Sequence, residues 1–207
     1  MAIVHGQREC LRICAFFLTS HSYPRTNQAV YIFKKALFLL HGVFLRFSSH
    51  AAARDTTPDG IIPIPDTSSL PVFSDNVLPS ILVHLGIIDL SHSSFPSLTS
   101  QFRPADNLDA LLQPSPTPTA DDMKLWKSQS YRDGPVLTES EAYVLRASAI
   151  DACEQIIAEA HKAIGQEYEW LRKLTLPELD GWLWAGAKDR QDYRELGRFV
   201  LRDTPYF

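Results

Sequence analysis

Cysteine is scarce in this sequence: Cys10, Cys14 and Cys153 are the only three among 207 residues. So odd and sparse a set gives no disulfide framework, and a reducing compartment is the natural reading. Cys10 and Cys14 have no second pair or His cluster beside them, which argues against zinc, and no metal is expected. The chain also lacks a phosphate loop, a Ser-His-Asp signature and a dinucleotide fingerprint. Long apolar runs are missing: Ile13 to Leu18 is far too short to cross a membrane. Glu9 interrupts its charged flank and no clean cleavage site follows, so it makes a poor signal peptide, and a cytoplasmic location is expected. Basic charge is not in excess either. A net charge of −4 argues against a general nucleic-acid binder. The sign is uneven, with seven Lys/Arg against three Asp/Glu in residues 1–60 and thirteen against twenty-one in the rest. That asymmetry either sets a basic helix beside an anionic ligand or is ordinary surface solvation.

What is present reads as a helical protein. An apolar fraction of 45% and a charged fraction of 21% fit a globular chain, and the length supports one domain. Alternating strand patterns of useful length are absent, so the expected class is mainly α. Residues 1–28 have weak periodicity and form a poorly defined segment. From Ala29 to Phe47 the residues Val30, Phe33, Leu37, Leu40, Phe44 and Phe47 recur at helical intervals, which predicts an amphipathic helix. Four prolines (Pro58, Pro63, Pro65, Pro71) make 48–71 an extended connection. Asp75 is placed to cap a helix over about Asn76–Leu85, and Gly86 fits the position after its end. Residues 91–136, rich in Ser, Pro and Asp, predict a long, partly disordered surface loop with at most a short helix near Leu108–Leu112. Thr138 with Glu141 reads as a capping box opening a helix over 139–164 that Gly165 closes. Its stripe includes Tyr143, Leu145, Ala149, Cys153, Ile156 and Ile164.

One residue breaks the pattern. Thr175 with Glu178 resembles another capping box, and Pro177 suits a first turn. Winding on at roughly 100° per residue sets Leu176, Leu179, Leu183, Trp184 and Ala187 in one apolar arc. Asp180 falls inside that arc, whereas Glu178 and Asp189 fall opposite. A buried ionised carboxylate costs several kcal/mol unless it is paired. It is therefore either bound to a loop or to an Arg such as Arg172 or Arg190, or it stands in a pocket walled by Trp182 or Trp184. In a water-poor site such a carboxylate acts as a base or stabilises a cationic transition state, as in glycosidic cleavage. Asp75 is either a simple cap or a ligand contact, Phe73 either core or a stacking platform. His84, on an apolar face, reads as a structural histidine.

The runs Leu70-Pro71-Val72-Phe73-Ser74-Asp75-Asn76-Val77-Leu78-Pro79 and Leu179-Asp180-Gly181-Trp182-Leu183-Trp184, with His84-Leu85-Gly86, resemble the queuosine salvage proteins. That family comprises the queuosine 5′-phosphate N-glycosylase/hydrolases, and the likeness covers roughly residues 30–207, its C-terminal portion. It implies a helical fold similar to helix-hairpin-helix DNA glycosylases and release of queuine from queuosine 5′-monophosphate for tRNA modification. Asp180 would be the catalytic carboxylate. Phe73, Ser74 and Asp75 would contact the base, and Lys34 or Lys35 the 5′-phosphate. No cofactor, membrane or direct nucleic-acid partner is implied. The chain departs from the family at Asn76, Val77 and Ser80, where members have Tyr, Arg and Gln. Residues 1–28 do not resemble the N-terminal half of family members. The alternative expectation is accordingly a shortened, catalytically incomplete chain acting as a helical interaction module.

Overall fold

A computed structural model describes residues 19–22, 29–53, 65–114, 119–128 and 130–202. Cys10, Cys14, Pro58, Pro63, the Pro116–Pro118 stretch and the Tyr206-Phe207 pair lie outside the described residues, as does nearly all of segment 1–28. The described chain is mainly helical, as its periodicity predicts, and it falls into two compact units. One comprises residues up to Phe73 with Thr175–Pro177, and the other comprises Ser74–Leu174 with Glu178 onward.

The first unit corrects two expectations. Residues 29–32 are not helical: β2 (Ala29–Ile32) pairs antiparallel with β1 (Thr19–Ser22), Thr19 opposite Ile32. Val30, Tyr31 and Ile32 are β-branched or aromatic, and strand pairing overrides a helical spacing that continues beyond them. Helix α1 then spans Lys34–Ala53, well into the stretch expected to be extended. Residues 48–53 hold no proline and end in three alanines, the best helix formers. Ala36 is buried, and Leu37, Leu40, His41 and Phe44 are half-buried along one side. His41 Nδ1 meets the buried Thr67 hydroxyl at 2.8 Å, and its ring lies 5.6 Å from that of Phe73.

The second unit is built around α2 (Val77–His84), in which every residue but His84 is buried. The helix lies within one residue of the predicted bounds, and Gly86 takes φ +69° just beyond it, donating its N–H to the Val83 carbonyl at 2.9 Å. Segment 91–136 is not the loop its composition suggests. It holds α3 (Pro96–Gln101), α4 (Leu108–Leu112) and α5 (Ala120–Ser128). Leu98, Phe102 and Leu111 from this segment are buried in the core. Pro96 occupies a first-turn position, where it costs no hydrogen bond. Thr119 and Asp122 cap α5 reciprocally: the Thr119 N–H donates to the carboxylate at 2.9 Å and its hydroxyl accepts from Asp122 N–H at 3.2 Å. This is a capping box with Asp in place of the usual Glu or Gln, which is why its signal was weak.

Helix α6 (Glu139–Ala160) opens with the expected capping box between Thr138 and Glu141, and Ser97 adds its hydroxyl to the same carboxylate. Burial along α6 stops at Cys153, the helix ends at Ala160 rather than 164, and Ile164 is 90% exposed. Two 3-10 turns (Gln166–Tyr168, Leu171–Lys173) lead to α7 (Leu176–Asp189) and the single turn α8 (Gln191–Arg194). Strand β3 (Asp133–Val136) pairs in parallel with β4 (Arg198–Val200). Phe199, fully buried, fixes β4 to α2. Its N–H donates to the Ser80 hydroxyl at 3.1 Å, and its carbonyl accepts from Asn76 Nδ2 at 3.0 Å.

Candidate functional site

Asp180 is buried, 8% exposed, on the face of α7 that also carries Leu179 (6%), Leu183 (6%) and Ala187 (0%). Glu178 and Asp189 are exposed, as the arc predicts. Its charge reaches the Cys153 thiol of α6, which burial and then Asp180 push up to about 12. The carboxylate is thus close enough to α6 for its charge to act on that thiol. Arg172 does not pair with it, because its Nη1 donates to the carbonyls of Ala163 (2.9 Å) and Gly165 (3.0 Å). Arg190 does not either; it grips Asp192 through Nε at 3.1 Å and Nη2 at 2.6 Å. The proposed Arg partners are therefore committed to other groups. Trp182 is 71% exposed; Trp184 is 40% exposed and carries Lys188 Nζ 4.1 Å from its ring centroid.

Asp75 does cap α2. Its Oδ1 accepts from the N–H groups of Val77 (2.7 Å) and Leu78 (3.3 Å). Its charge also bears on two buried guanidinium groups, those of Arg146 and Arg198, opposing the fall that burial imposes on each. Ser74 and Arg146 bind reciprocally: the Ser74 hydroxyl donates to the Arg146 carbonyl at 3.1 Å, and Arg146 Nη2 donates to the Ser74 carbonyl at 2.7 Å. Phe73 belongs to the first unit, buried there against Phe38 in an edge-on contact at 6.0 Å and against His41. Lys34 is half-buried and Lys35 exposed at the start of α1 in that unit. Asp75, Ser74 and Asp180 belong to the second.

Sequence reasoning missed the arginine cluster around Asp75. Arg198 stacks over Tyr131 at 3.6 Å and gives Nη2 to the Ala187 carbonyl at 2.7 Å. Arg194 stacks over the same ring at 4.3 Å and donates to the carbonyls of Lys188 and Trp126. Both therefore supply hydrogen bonds and positive charge to the last turn of α7. A signal for Arg146 was present: it lies on the same arc of α6 as Ala142, Leu145, Ala149 and Cys153, the same anomaly that singled out Asp180. His84 is structural, as expected, with Nε2 2.9 Å from the Gly197 carbonyl and its ring edge-on to Phe102.

Among the described residues no His, Cys, Asp and Glu side chains cluster to hold a metal ion, and no helix is long and apolar enough to cross a membrane. The chemistry the site offers is that of a buried carboxylate, a group able to take a proton or to face a developing cation. No protein-family model matches the chain, and neither the curated proteins nor the solved structures contain a significant match to it.

Proposed function

We propose that this chain hydrolyses the N-glycosidic bond of queuosine 5′-monophosphate, releasing queuine. The observation that supports the reading is the buried Asp180, a carboxylate kept on the apolar face of α7 beside a thiol that its charge reaches. Loss of the base leaves oxocarbenium character at the ribose carbon, which a carboxylate in a water-poor setting stabilises, and the same group orients the water that completes the cleavage. The test is incubation of purified protein with queuosine 5′-monophosphate and chromatographic detection of queuine. Asp180→Asn is expected to lower release by about a hundredfold or more while leaving the helical circular dichroism intact. Undiminished turnover by that variant removes Asp180 from the mechanism; a folded wild type that releases no queuine removes the reaction.

A second reading, a helical interaction module without catalysis, is favoured by one observation. Helix α1 is apolar on its outer face as well, with Phe38 61%, Leu39 45% and Leu45 64% exposed. Such a face is usual for a surface that meets another protein.

A further inference from the structure

We draw no further inference here: the strongest candidate, the cleft of about 570 Å³ in the second unit between Ile87 and Ile88 on one side and Ala152 and Ile156 of α6 on the other, carries nothing because no feature of the structure shows what covers it.

Discussion

Replacement of Asp75 separates a structural carboxylate from one that acts on a ligand, and the structure sets the size of the effect. Asp75 Oδ1 accepts two N–H groups of α2, at 2.7 and 3.3 Å. Removing a cap of this kind costs about 1 kcal/mol. The carboxylate also faces Arg146 and Arg198, only 7% and 8% exposed. Leaving buried charge uncompensated costs roughly 3–5 kcal/mol, and the lower end applies here because both guanidiniums keep carbonyl partners at 2.7 Å. Asp75→Ala should therefore lose about 4 kcal/mol. Asp75→Asn, whose amide oxygen still caps the helix, should lose about 3. Both are large against the 5–15 kcal/mol that typically separates folded from unfolded domains. Urea denaturation followed by circular dichroism measures them, with the midpoint expected to fall and the slope to hold. Adding Arg146→Met to Asp75→Asn should recover part of the loss, since it removes one of the stranded charges. If Asp75→Ala unfolds within about 0.5 kcal/mol of wild type, the capping and charge argument is wrong. Should such a variant also lose queuine release, Asp75 would be a ligand contact rather than a structural group.

Gly134→Ala should destabilise the second unit by about 1–3 kcal/mol, because the new Cβ would stand 2.9 Å from the backbone of Arg198 and Gly197; thermal unfolding reads the loss. Cys153, fully buried and un-ionised at neutral pH, should resist thiol reagents in a Cys10→Ser/Cys14→Ser protein and react quickly once urea unfolds it. Rapid native labelling would contradict its burial.

The parts of this fold that were legible in the sequence are those where local chemistry and burial agree. Helix α2 has a cap, an apolar run and a glycine in sequence, and each does what its residue type allows. The capping box of α6 was equally direct. Helix α5 was hidden because Asp122 serves where Glu or Gln is customary, and α3 because a Ser- and Pro-rich composition masked the buried Leu98 and Phe102. The start of α1 failed for another reason: Val30 belongs to a helical spacing and to a strand sequence, and only pairing with Thr19–Ser22 decides between them. The parallel pairing of β3 with β4 left no local trace, since each strand is four residues or fewer and they lie more than sixty positions apart. At the candidate site, Asp180 was visible as a charge in an apolar arc. The guanidiniums around Asp75 were not, because their convergence comes from three separate segments of chain.

The Ser80–Phe199 hydrogen bond joins residues 119 positions apart, and it has a consequence for how the protein is made. Helix α2 emerges from the ribosome with Ile81, Leu82 and Val83 complete, while Ala187 and Tyr193, which pack with Ile81, and Phe199, which binds Ser80, have still to be synthesised. A loop of that length closes late, and at translation speeds of about 5–20 residues per second the wait is on the order of ten seconds. During that interval the most apolar helix of the second unit is exposed on the nascent chain. Truncating the chain before β4 should leave Ser80 and Asn76 without their Phe199 partners.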